Sequence, residues 1–137
     1  CGHSLGAAMA VIMSSRCLHL EDVPNPEELY TFGCPRVGWP KYCNSLGVTH
    51  HRWVNNNDVV TRVPLTIMGY RHHGTEHYLN TWGNIRTLHG WQRIKDRFRG
   101  MWRGIKQGKI DNFSDHAIDA YEEHIEKATK GMETLQV

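Results

Sequence analysis

Apolar and polar residues alternate with different periods along the chain. From residue 4 to about residue 19 the side chains are small and apolar with no proline, which predicts a buried helix. Residues 22–26 (DVPNP) break that run. Residues 28–32 (ELYTF) combine aromatic and β-branched side chains and predict a short strand. Residues 33–38 read as a loop. Pro40 then opens a short helix reaching Leu46, with Gly47 as its C-cap. Residues 48–54 predict a second strand, and Asn55-Asn56-Asn57-Asp58 a polar turn directly after it. Pro64 closes the stretch that begins at Val59. Residues 69–80 are crowded with His and Tyr and read as irregular, with a short strand near residues 77–79. Trp91, Ile94, Phe98, Met101, Trp102 and Ile105 recur at helical spacing. A last helix is expected over residues 114–130, with Ser114 as N-cap and Asp115 in the first turn.

Strands alternating with helices argue for an α/β fold, a parallel sheet with crossover helices. Parallel strands are usually covered on both faces. Two or three strands with four helices leave faces that something else must cover. The expectation is one partial domain over residues 1–137, the C-terminal portion of a larger α/β domain whose N-terminal half is missing.

Composition narrows the class. Of the 137 residues, 39% are hydrophobic and 22% charged, as in a globular chain rather than a disordered one. The longest apolar stretch, residues 5–13, is too short to span a bilayer. The first residues lack a basic n-region, so no signal peptide is expected. A net charge of +2 is too small to argue for nucleic acid. Charge is unevenly placed: residues 86–109 are strongly basic and residues 111–137 acidic, so the two segments could attract each other. Cys1, Cys17, Cys34 and Cys43 form no CxxC, which argues against a zinc ribbon or a thioredoxin-like redox site and favours buried free thiols.

The candidate chemistry begins at Gly2-His3-Ser4-Leu5-Gly6, which fits G-x-S-x-G. A serine at a sharp strand-to-helix turn takes a strained backbone conformation, and small residues two before and two after let the turn close. The serine oxygen is then exposed at the top of the sheet. The helix N-terminus points at it, and the Leu5 amide can donate to an oxyanion. The helix follows as required, whereas the strand is expected before Cys1. A serine hydroxyl needs a base, and the base an orienting carboxylate, in the chain order Ser, acid, His. Asp58 follows a predicted strand after a short turn, where the acid should sit; the plainer alternative is a turn aspartate capping its own loop. Among ten histidines, His116 is the best placed. His3 adjoins the serine in sequence. His50 and His51 precede Asp58, and His72, His73 and His77 follow it too closely. His89 opens the basic segment, and His124 lies two turns into the last helix, where exposure is expected.

These segments resemble the class 3 lipase family of the α/β-hydrolase superfamily. GHSLGAA (2–8) resembles its nucleophile motif, YTFGCPRVG (30–38) the strand and loop that follow, and RWVNNNDVVTRVP (52–64) its acid motif. Asp115-His116 with Tyr121 five residues later resembles its histidine motif. The four segments stand in family order across residues 2–121. The resemblance implies hydrolysis of triacylglycerols or other lipid esters through an acyl-enzyme on Ser4, with His116 as base and Asp58 orienting it. It implies no cofactor and no metal. The half of the family that supplies further strands, the lid and the second oxyanion donor is not present, so the 137 residues alone are expected to be nearly inactive. A phospholipase or acyltransferase with the same triad, and a non-catalytic interaction module on the same scaffold, remain as alternatives.

Other features carry less. His73 and His77, four apart, are a weak metal pair, because Gly74 and the aromatic neighbours disfavour a helix. Arg62 and Pro64 are expected to fix the loop under Asp58, and Arg36 to pair with an internal carboxylate or carbonyl. Residues 92–107 form a basic amphipathic pattern that suits a helix packed on its own domain, or else one lying on a lipid interface.

Overall fold

The computed structural model describes residues 1–56, 58–80, 85–86 and 114–133. They group into two compact units: Cys1–Trp53 with Val60–Glu76, and Val54–Val59 with His77–Val137.

In the first unit, β1 (Gly2–His3), β2 (Glu28–Phe32) and β3 (Thr49–Asn55) lie side by side in that order. Both pairings are parallel, with Gly2 opposite Thr31 and Leu29 opposite His50. A strand thus stands at Gly2–His3, directly before the serine, where the sequence reading placed it before Cys1. α1 (Leu5–Cys17) connects β1 to β2, and α2 (Pro40–Ser45) lies between β2 and β3. Period-2 burial holds along β2: Leu29 and Thr31 are buried, while Glu28 and Tyr30 face outward. The core is Ala7, Val11, Leu29, Cys34, Leu46 and Val48. Small residues at 7 and 8 let α1 sit close to the strands.

α1 is not buried all round as expected. Leu5, Met9, Ile12 and Met13 are exposed on it, so the helix is apolar on a face that no described residue covers. α2 also ends differently. Leu46 is extended at φ −75°, ψ 107°, so the helix stops without the left-handed cap expected at Gly47. Of the four thiols, all free, Cys34 and Cys43 are buried and Cys1 is exposed. Burial pushes the Cys34 thiol up to about 11, so it is inert as a nucleophile. Two 3-10 turns, Val60–Arg62 and Thr66–Met68, follow β3. Arg36 donates to the carbonyls of Arg62 and Pro64, the latter at 2.8 Å. It is thus held by carbonyls, as its sequence setting suggested.

In the second unit, the end of β3 is followed by β4 (Thr75–Leu79, here from His77) and β5 (Ile85–Arg86). β4 and β5 are antiparallel, with Tyr78 opposite Arg86, an antiparallel pair beside the expected parallel strands. Residues 80–84 between the two strands are too few for a parallel crossover. Ser114–His116 forms a 3-10 turn, and the final helix α3 runs Ile118–Glu133. Ser114 is therefore not its N-cap, and the acid in its first turn is Asp119 rather than Asp115. α3 buries Tyr121 and Ala128 and exposes the i,i+4 pairs Glu123–Lys127 and Glu126–Lys130. Among the described residues no helix is long and apolar enough to cross a membrane. The basic amphipathic segment 92–107 lies outside the described residues.

Candidate active site

Ser4 is the single residue between β1 and α1, with φ 57° and ψ −129°. A side chain at positive φ costs on the order of 1–3 kcal/mol and persists only where its surroundings enforce it. Here they do. The Ser4 N–H donates to the Phe32 carbonyl at 3.0 Å, and the Ser4 carbonyl accepts from Ala7 N–H at 3.0 Å. Strand and helix thus grip the residue from both sides. Gly2 is required for that geometry, because a Cβ there would lie 2.5 Å from the Gly6 carbonyl oxygen and 2.8 Å from the Ala7 Cα. Gly6 is not required on the same ground: a Cβ there meets nothing within 4 Å among the described residues. The sequence argument that both glycines relieve collision holds for the first alone. Leu5 opens α1, and its amide is one of the first-turn donors that a helix cannot satisfy internally. His3 is the β1 residue before the turn.

Asp58 and His116 lie in the second unit. Asp58 is fully buried. The His116 Nδ1–H donates to its carboxylate, 3.0 Å from Oδ2 and 3.1 Å from Oδ1. With Nδ1 carrying the proton, the lone pair of the neutral ring is on Nε2, the arrangement a general base needs. Tyr121, 1% exposed, donates its phenol hydrogen to Asp58 Oδ2 at 2.7 Å. The Tyr121 phenol oxygen in turn accepts from the Asn55 N–H at 3.0 Å. The carboxylate is thereby fixed by a neutral donor as well as by the imidazole. The backbone prepares this: Asn55 ends β3, and the Asp58 N–H donates to the Asn55 carbonyl at 2.8 Å, closing a tight turn. Asp58 is more than a turn cap, since its side chain is committed to residues 58 and 63 positions away.

Sequence reasoning named Asp115, Tyr121, Asn55 and Asn56 only as members of motifs, and missed their contacts and the part of His124. Asn56 Nδ2 donates to Asp115 Oδ2 at 3.1 Å, and Asn55 Nδ2 to the Asp115 carbonyl at 3.0 Å. His124, expected to be exposed, is half-buried and donates through Nδ1 to Asn55 Oδ1 at 2.7 Å. Its pKa is lowered by burial and then by Lys127. The available signal was spacing: Tyr121 and His124 are three apart and share one face of α3. Its place in the turn and in the acid motif marked Asn55, but not its side-chain partners, which are 60 and 69 residues away.

Among the other described histidines, His50, His72 and His73 lie within the first unit and His77 on β4. His50 Nδ1 is 3.2 Å from His73 Nδ1, and His50 Nε2 is 2.8 Å from Thr31 Oγ1. His72 donates Nε2–H to the Thr61 carbonyl at 2.7 Å. His77 is on β4 and His73 before it, so the pair does not share a helix face. No cluster of three or more metal-ligating side chains occurs among the described residues.

Comparison with known proteins gives a consistent result. A family model described as Lipase (class 3) matches residues 1–68, a segment that holds Ser4 and Asp58. A lipase of Rhizomucor miehei is 36% identical over 83 residues, 57% of this chain and 23% of that protein. Lipase II from Rhizopus niveus superposes with a TM-score of 0.52 at 33% identity, over 57% of this chain and 31% of that one. A triacylglycerol lipase whose catalytic centre is described as a serine protease triad superposes with a TM-score of 0.53 at 34% identity, over 59% and 32%. The chain spans about a quarter of the length of the curated relatives it matches. The architecture is part of the α/β fold of these lipases.

Proposed function

We propose, from the premise that this chain belongs through residues 1–68 to the class 3 lipase family, that it carries the catalytic groups of a serine hydrolase acting on lipid acyl esters. Ser4 is the nucleophile, His116 its general base and Asp58 the carboxylate that orients and stabilises the imidazole. The observation that carries this reading is the His116–Asp58 hydrogen bond at 3.0 Å. It supplies an oriented base from beyond the segment the family model matches.

The chemistry follows from the parts. Ser4 Oγ attacks the ester carbonyl while His116 Nε2 takes its proton. The buried Asp58 carboxylate holds the resulting imidazolium. The oxyanion accepts from the Leu5 amide, strengthened by the positive end of α1. His116 then returns the proton to the leaving alcohol. Water, deprotonated by the same ring, attacks the acyl-enzyme, releases the carboxylic acid and restores Ser4. Lipid acyl esters are the substrate class that the named relatives suggest, and a lipid–water interface is the surface where such substrates are met. This reading assigns one oxyanion donor among the described residues, and lacking a second typically costs on the order of 10²–10³ in rate. The 137 residues alone are therefore expected to turn over slowly, and the full-length protein efficiently.

A fluorophosphonate probe and a short-chain p-nitrophenyl ester test this on the full-length protein. Ser4 should be labelled, Ser4→Ala should abolish labelling, and Asp58→Asn should lower kcat by roughly 10⁴ through the wrong imidazole tautomer. Wild-type protein that neither labels at Ser4 nor hydrolyses the ester would overturn the proposal.

A further inference from the structure

Asn55 ends β3 at full burial, and all four of its polar groups are engaged. Its N–H donates to Tyr121 Oη at 3.0 Å and its carbonyl accepts from Asp58 N–H at 2.8 Å. Its side-chain Nδ2 donates to the Asp115 carbonyl at 3.0 Å, and Oδ1 accepts from His124 Nδ1 at 2.7 Å. One residue thus joins the Asp58 turn, the Ser114–His116 turn and two positions of α3.

We propose that Asn55, braced by His124, is a positioning residue that holds the turn bearing His116 so that its Nδ1–H meets Asp58. The consequence for catalysis rests on the hydrolase reading; the geometric part does not. A three-residue 3-10 turn has little internal hydrogen bonding to fix itself, so the placement of His116 depends on what grips its neighbour. Asp115 is gripped twice, at its carbonyl by Asn55 and at its carboxylate by Asn56 at 3.1 Å. The side chain at 55 must donate to a carbonyl and accept from an imidazole N–H at once. A short primary amide does this; a carboxylate cannot, since it has no donor to offer. His124 Nδ1–H can donate whether the ring is neutral or protonated, so the brace persists through titration of that ring. Its second role is to select the amide orientation. By occupying Oδ1, it turns Nδ2 toward residue 115.

The variants Asn55→Asp, His124→Ala and His124→Gln, made in the full-length protein, separate positioning from mere folding. Asn55→Asp keeps size and the acceptor toward His124 but loses the donor toward Asp115. It should lower kcat on a soluble p-nitrophenyl ester by about tenfold to a hundredfold, the cost of a small misplacement, with KM within about twofold. In ¹⁵N NMR the His116 Nδ1–H signal should weaken or move, and the acid limb of the kcat/KM profile should shift with it. His124→Ala should act in the same direction, and His124→Gln, which restores an N–H donor, should recover most of the loss. If Asn55→Asp does not fold, the His124 pair decides alone, by whether the glutamine rescues. Wild-type kcat with an unchanged His116 signal in Asn55→Asp, or His124→Gln no better than His124→Ala, overturns the proposal. Wild-type protein without ester turnover or Ser4 labelling sinks the hydrolase reading instead, and the NMR comparison still tests the brace.

Discussion

Three residues illustrate how a side chain's role depends on its partners. Ser4 is strained at φ 57°, and its neighbours' backbone, not its own preference, keeps it there. Asp58 and Tyr121 form a buried donor–acceptor pair in which Tyr121 Oη and Asp58 Oδ2 each serve two partners. Tyr121→Phe removes the phenol hydrogen from Asp58 and strands the buried Asn55 N–H. Leaving such a group unsatisfied costs about 1–3 kcal/mol, and one hydrogen bond to a carboxylate is of similar size. The variant should therefore unfold at lower denaturant and show kcat reduced roughly tenfold, the equivalent of about 1.4 kcal/mol. Urea titration and ester kinetics check both. Unchanged stability would mean that the Asn55 N–H finds another partner. Ser4, Asp58 and His116 stand out in the sequence because their motifs are local or ordered along the chain. Asn55 and His124 do not, because an asparagine in an Asn-rich turn and a histidine on a polar helix look alike whether or not they face each other.

At the scale of elements, the glycines flanking Ser4 are not equivalent. Gly2→Ala places a methyl group against the backbone of α1. Backbone cannot rotate aside as a side chain can, so the turn must open, at a cost of roughly 1–3 kcal/mol by analogy with overpacked sites. Gly6→Ala meets open space on a helix and should raise stability by up to about 1 kcal/mol, as alanine does over glycine in helices. Thermal melts of the two variants should move in opposite directions; equal losses would sink this account of the turn. The boundaries that the pattern misplaced share one cause. β5 pairs antiparallel because residues 80–84 cannot make a crossover. α3 begins at Ile118 rather than after Ser114 because residues 115 and 116 are held by Asn55, Asn56 and Asp58. In both places tertiary contacts or chain length outweigh local propensity.

At the scale of the whole molecule, the interior of the first unit carries histidines that are neutral when folded. Burial, with His73 and Arg52 nearby, lowers His50 to about 4. Burial and the Arg52 guanidinium lower His72 to about 3. The Arg52 guanidinium beside this cluster is itself paired with Glu76 at 2.9 Å. In the unfolded chain both rings titrate near the usual 6.5. The unfolded state thus binds more protons than the folded one below that value. Stability is complete above about pH 6.5, declines as pH falls through that point, and this contribution is exhausted near the folded values. Thermal melts between pH 7.5 and 5, above most carboxylate titration, should show a falling Tm, and His50→Asn should flatten the slope. A flat wild-type profile over that range would contradict the reading.

The sequence by itself determined the elements whose periodicity is local, namely α1, β2, β3 and α3, and the order of Ser4, Asp58 and His116. Short-range spacing and turn chemistry need only neighbouring residues to express them. Only the tertiary structure decided that Asp58 receives Tyr121 as well as His116, that Asn55 ties three elements together, and that His50, His72 and His73 are interior. Those facts depend on hydrogen bonds between residues ten to about seventy positions apart. Such pairings are set by how the elements pack, and no local window of residues encodes them.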